Sequence, residues 1–172
     1  GMEKLESEVR LNMQRELDQA IKADTKKRVM EELYSQNKLD LPKAAIDLEI
    51  DRLQKQAEEQ FGKHMALDGL KDKSNDVFEK EADRRVALGL IMSNIVEEHG
   101  IKVDPVRVRT MIESIAEAYQ KPDDIVKMYY NDNKNLASIE SLVLEDMVVE
   151  TILAEAKVSD KVTSFSEVIK PQ

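Results

Sequence analysis

The sequence predicts an all-α protein, and three observations carry that prediction. Glycine and proline are sparse: after Gly1 no glycine occurs before Gly62, and the only prolines are Pro42, Pro105, Pro122 and Pro171. Apolar residues recur at steps of three and four, the helical period, while the strict alternation of strands is hard to find. Composition agrees: 35% of the 172 residues are charged, 41% are hydrophobic, 4% are aromatic and none is Trp. Those proportions suit long solvated helices joined along thin apolar seams.

The first helix is expected from about Glu3 to Gln36. Leu5, Val9, Met13, Leu17 and Ile21 step by four, and at ~100° per residue each step drifts ~40° around the axis. Val29, Met30, Leu33 and Tyr34 point to another side, so one long helix changes packing partner midway. Met13 and Met30 lie on these stripes and are expected in the core, as is Met111 further on.

Pro42 sits where a first-turn proline belongs, its missing N–H being unpaired there in any case. Ile46, Ile50, Leu53, Ala57 and Phe61 then mark a narrow stripe in an otherwise charged or amide-rich helix, wide enough for one partner helix. Residues 62–74 read as a tip. Asp76 and Glu79 form a capping-box-like start for the return helix, with Phe78, Ala82 and Val86 inward. The run Val86–Met92 is apolar all round and so predicts enclosure; Gly89 within it suggests a close helix approach, and Gly100 ends the helix as its C′ residue. The two helices together read as an antiparallel hairpin, an arm reaching from a body.

Asp104-Pro105 opens the next helix as N-cap and first-turn proline, with Val108, Met111, Ile112, Ile115 and Tyr119 inward. Pro122-Asp123 interrupts it, and a short helix follows with Ile125, Val126, Tyr129 and Tyr130. Residues 131–135 are expected to form a turn. The last long helix, about Leu136–Lys157, carries five acids and no base from Leu136 to Ala156. Leu142, Val149 and Leu153 cluster on it, with Leu144 and Val148 nearly opposite. Either two neighbours sandwich this helix or one side stays open to a partner. Ser164–Glu167 is a second capping box, for a short terminal helix that Pro171 closes.

Several functions are excluded. A net charge of −9 repels phosphate and argues against nucleic-acid binding. The longest apolar run, Val86–Met92, falls far short of the ~20 residues that span a bilayer. No signal segment is visible, and Gly1 before Met2 reads as a processing remnant. With no cysteine, disulfides, thiol catalysis and zinc–cysteine sites fall away. His64 lies in the tip and His99 in a helix's last turn; Glu97-Glu98-His99 lacks the second histidine of a helical zinc motif. Acidic pairs such as Asp123/Asp124 and Asp146/Glu150 read as surface charge in a chain with 35 acids. No phosphate-cradling loop or nucleophile elbow occurs, so no catalytic residue, metal or cofactor is expected.

The segment Leu39-Asp-Leu-Pro-Lys-Ala-Ala-Ile-Asp-Leu-Glu-Ile-Asp-Arg-Leu53 resembles the C-terminal domain of trigger factor, a family of bacterial ribosome-associated chaperones. Val9-Arg-Leu-Asn-Met-Gln-Arg-Glu-Leu17, Arg84-Arg-Val-Ala-Leu-Gly-Leu90 and Ala154-Glu-Ala-Lys-Val-Ser-Asp-Lys161 with Phe165 support the resemblance in the same order. It implies an elongated all-α body with two projecting helical arms that cradle unfolded or nascent chains. Residues 1–41 would supply the body helix, 42–100 the first arm, 101–157 the second and 158–172 a tail. It also implies a cytoplasmic bacterial protein that assists folding and export, with a weak homodimer as a further partner. The family's ribosome-docking and prolyl-isomerase domains have no counterpart here, so ribosome contact and isomerase activity belong to the parent only.

The residues fit such a mechanism. A chaperone that holds clients needs scattered apolar surface flanked by charge, and methionine adapts to varied partners. The expected polypeptide contacts are Phe61, Met65, Leu67, Leu70, Phe78, Met128, Tyr129, Tyr130, Leu144, Met147 and Val148. Binding would need no ATP. The competing reading is an α-helical docking module for one folded partner, which would concentrate its apolar contacts in a single patch.

Overall fold

Why these residues form these helices is visible at their ends. In the computed structural model, which describes residues 2–61 and 73–159 (side chains over 5–60 and 76–159), all regular structure among the described residues is helical. The helices are α1 (Met2–Gln36), α2 (Lys43–Phe61), α3 (Lys73–His99), α4 (Pro105–Ala116), α5 (Pro122–Asn131) and α6 (Asn133–Glu155). The Asp104 carboxylate accepts the Val106 N–H at 2.8 Å, satisfying a donor at the α4 N-terminus. Gly100, at φ +60°, closes α3 in the left-handed conformation that glycine adopts without penalty. Asp132 serves two helices. Its N–H donates to the Met128 carbonyl at the end of α5, while its carboxylate accepts from Lys134 and Asn135 at the start of α6.

The chain divides into two units, Gly1–Val29 with His99–Gln172, and Met30–Glu98. In the first, α4, α5 and α6 pack together. Val108 and Ile112 of α4 meet Ile139 and Val143 of α6, and Val126 and Tyr129 of α5 cover that core. Cations from other helices meet the acids of α6. Lys22 Nζ lies 2.7 Å and Lys26 Nζ 3.1 Å from the Asp146 carboxylate; Lys26 also reaches Glu145 at 2.8 Å, and Arg107 reaches Glu150 at 2.6 Å. In the second unit, Met30, Leu53, Ala82, Ala87 and Ile91 are buried. Tyr34 Oη donates to Asp83 at 2.7 Å, and Arg85 bridges Glu81 and Glu49.

The single α1 helix, the α2 stripe through buried Leu53, the α4 cap and the Pro122 break all follow the sequence expectation. Other details differ. α3 begins at Lys73, so Asp76 lies in its first turn instead of capping it. The polar stretch 131–135 contracts to Asp132, because one carboxylate caps what a longer turn would otherwise leave open. Gly89 is exposed and a Cβ there would meet nothing within 4 Å, so it marks no close helix approach. Leu90 is likewise exposed, and the Val86–Met92 run buries only one side, through Ala87 and Ile91. Met13 is exposed, not core. Tyr119 is exposed because α4 stops at Ala116, so the residue leaves the helical register that would turn it inward. The Ser164 capping box and the tip fall outside the described residues.

Candidate functional site

The expected contact residues separate by burial. α5 has no buried residue, and on it Met128 and Tyr130 are 48% and 44% exposed. Between them Tyr129 turns inward and packs against the α4–α6 core. A helix of only three turns places neighbours ~100° apart, so alternate residues here face opposite fates. Asp123 and Asp124 lie in the first turn of α5, where acids suit the helix dipole. Arg109 donates to Glu113 at 2.8 Å on the neighbouring α4, so the exposed apolar groups are flanked by charge of both signs.

On α6, Leu144 is half-buried and Met147 packs against the core. Val148 is fully enclosed, which corrects its expected role: a side chain with no accessible surface offers nothing to a partner. It lies nearly opposite Leu142, but Val149 and Ile139, which flank Leu142 on the helix, are buried too, so neighbours cover α6 on more than one side and Leu142 stays exposed among them. Phe78 is half-buried in the second unit. The Phe61 side chain and Met65, Leu67 and Leu70 lie outside the described residues.

Asp146 of α6 sits at the centre of an ion-pair cluster in the first unit. Burial pushes its carboxyl up, but hydrogen bonds from Lys22 and Lys26 offset this, and the net position lies below the ordinary carboxylate value. Lys26 mirrors it: burial lowers its ammonium, the bonds to Glu145 and Asp146 raise it, and the net position is above the ordinary lysine value. These groups pair with one another as structural ion pairs.

Among the described residues, no group of three His, Asp or Glu is placed to hold a metal. A hollow of about 240 Å³ beside Tyr34, Asp83, Lys38 and Leu39 is smaller than the ~300 Å³ at which ligand pockets usually begin, and its Tyr34 and Asp83 are bonded to each other. No described helix is long and apolar enough to cross a membrane. What remains is dispersed apolar surface: Leu5, Val9, Leu11, Met13 and Ile21 on α1, Leu48 on α2, Leu90 on α3, and Tyr119, Met128, Tyr130 and Leu142 in the α4–α6 region. Sequence periodicity missed the α1 group, since a regular stripe looks the same whether or not a partner covers it.

Comparison with known proteins decides the family. Residues 1–154 match the family described as the C-terminus of bacterial trigger factor protein. The chain belongs to the trigger factor C-terminal family. Trigger factor of Pseudomonas fluorescens strain SBW25 is 45% identical over 171 residues, covering 99% of this chain. Those of Stutzerimonas stutzeri strain A1501 and Pseudomonas aeruginosa strain PAO1 are each 44% identical over the same length. The chain spans 38% of the length of these trigger factors. A solved structure of trigger factor domains from Thermotoga maritima shares the fold with a TM-score of 0.66 at 12% identity, covering 79% of this chain and 83% of that one. The trigger factor resemblance carried by Leu39–Leu53 and its companion segments is therefore borne out, and the all-α class with it.

Proposed function

We propose that this chain is an ATP-independent chaperone module that holds unfolded or nascent polypeptides through dispersed apolar surface, assisting folding and export. The observation that supports it most is the pattern of exposure within a trigger factor C-terminal domain: large apolar side chains stand open on α1, α2, α3 and α5, on highly charged helices. Scattered sites give weak, sequence-tolerant contacts, and interspersed charge keeps the loaded protein soluble. A docking module for one folded partner would instead concentrate its contacts in one central cluster.

On this reading Met128 and Tyr130 of α5 and the accessible parts of Tyr129, Leu144 and Met147 are client contacts, joined by Phe78 and by Phe61, Met65, Leu67 and Leu70. Residues 42–100 and 101–157 act as the two arms. Ribosome contact and prolyl isomerisation belong to other parts of the longer relatives, and the setting is the bacterial cytoplasm. A homodimer is a weak additional state.

Aggregation suppression tests the reading. Two unrelated proteins, each diluted from denaturant without ATP, are expected to scatter less light in the presence of a molar excess of the chain. If both precipitate undiminished while one native protein binds tightly, the docking reading replaces it.

A further inference from the structure

We propose that Lys22 and Lys26 of α1, with Glu145 and Asp146 of α6, form an electrostatic latch whose charges decide whether α1 residues 5–29 lie against α6. It does not depend on what the chain binds. No residue from Leu5 to Val29 is buried; the apolar ones are exposed or, like Leu17, Ala20 and Val29, half-buried. Apolar burial stabilises in proportion to the area removed from water, so it holds this stretch weakly. Nor does the α4–α6 core use the stretch. Val108, Ile112, Ile139 and Val143, with the residues packed against them, come from α4, α5, α6 and the loop before α4.

Charge supplies the attachment. Lys22 and Lys26 stand one turn apart, so both reach the same side of α1. Lys22 donates to Asp146 at 2.7 Å, while Lys26 donates to Asp146 at 3.1 Å and lies 2.8 Å from Glu145. Lys26 and Asp146 each serve two partners, so losing one charge weakens more than one pair. The next cation along α1, Arg28, is paired with Asp24 of its own helix. α6 has no local substitute for the lysines. From Leu136 to Ala156 it carries no lysine or arginine, and Arg107 of α4 is bonded to Glu150. The Asp146 side chain is only 14% exposed. Without Lys22 and Lys26, two adjacent carboxylates stand partly covered with no counter-charge, and moving α1 aside returns them to water. Such opening loses few buried apolar contacts, which makes it a local event that leaves α4–α6 folded.

The chain has no cysteine, so Gln19→Cys with Ser141→Cys, both at exposed positions, takes spin labels at two sites alone. Pulsed electron spin resonance then compares distances in this labelled chain, in its Lys22→Gln/Lys26→Gln form, and in a charge swap, Lys22→Glu/Lys26→Glu/Glu145→Lys/Asp146→Lys. The labelled parent is expected to give one narrow distribution. The glutamine form should raise the population at longer distances about tenfold, as loss of a partly covered ion-pair network implies. The swap should restore the narrow distribution. Hydrogen exchange at the Ile112 and Val143 amides is expected to stay slow in the parent and in the glutamine form. A glutamine form that keeps the narrow distribution overturns the latch, and so does a swap that fails to restore it. Loss of Ile112 and Val143 protection in the glutamine form would assign the pairs to global stability and overturn it as well.

Discussion

Asp146 shows how one residue settles a question that the pattern of α6 leaves open. Five acids without a base look like a surface awaiting a cationic partner, yet Lys22, Lys26 and Arg107 already neutralise three of them. Asp146→Asn is expected to cost about 1–2 kcal/mol of stability, because two lysines lose a charged acceptor in a half-buried setting. The pH dependence has a definite sign. The folded carboxyl sits below its unfolded value of about 3.9, so its contribution is complete above that value and disappears as pH falls through the folded one. Melting curves of the two proteins should therefore differ at pH 7 and draw together only as pH falls below about 3.9. A constant difference across that range would show that the pairing contributes nothing. None of this was legible in the sequence, since Lys22 and Lys26 are more than 110 residues from Asp146 along the chain. The same holds for Val148: periodicity places it opposite the Leu142–Val149 side, yet Val148 and Val149 are both buried, an outcome that residues elsewhere in the chain decide.

At the scale of elements, local chemistry wrote much of the fold into the chain. Asp104-Pro105, Pro122 and Gly100 each act on neighbouring backbone groups, and the helix ends they predict are where they should be. Misreadings arose where one residue does the work of several or where a helix stops early. Asp132 is the clearest case, capping the end of α5 and the start of α6 at once. Asp132→Ala leaves the Lys134 and Asn135 N–H groups without their acceptor, and the cost is expected near 1 kcal/mol. Asp132→Asn, which retains a side-chain oxygen, should recover most of it. Chemical denaturation of the three proteins measures this, and equal midpoints for Ala and Asn would mean that the carboxylate does not hold the junction. Gly89 teaches the reverse lesson. A glycine inside a helix invites a packing explanation, and here the space beside it is empty, so the structure supplies no reason for it.

For the whole molecule, charge and apolar exposure have separate tasks, and the two can be pulled apart by salt and pH. The candidate contacts, from Leu5 and Met13 on α1 to Met128 and Tyr130 on α5, are apolar, so their burial against a client does not weaken when charges are screened. On the chaperone reading proposed above, the net charge of −9 acts between particles and keeps loaded complexes apart. At about 0.5 M NaCl the screening length falls to roughly 4 Å, which removes steering between exposed charges and leaves apolar contact intact. Aggregation suppression at pH 7 is therefore expected to persist in about 0.5 M NaCl. Lowering the pH towards the sequence pI of 4.9 removes the net charge itself, and the complexes should then coagulate although the apolar contacts remain. Light scattering at fixed client concentration, followed once against salt and once against pH, measures both arms. Loss of suppression in salt at pH 7 would mean that clients are held by charge, and the exposed apolar side chains would need another task.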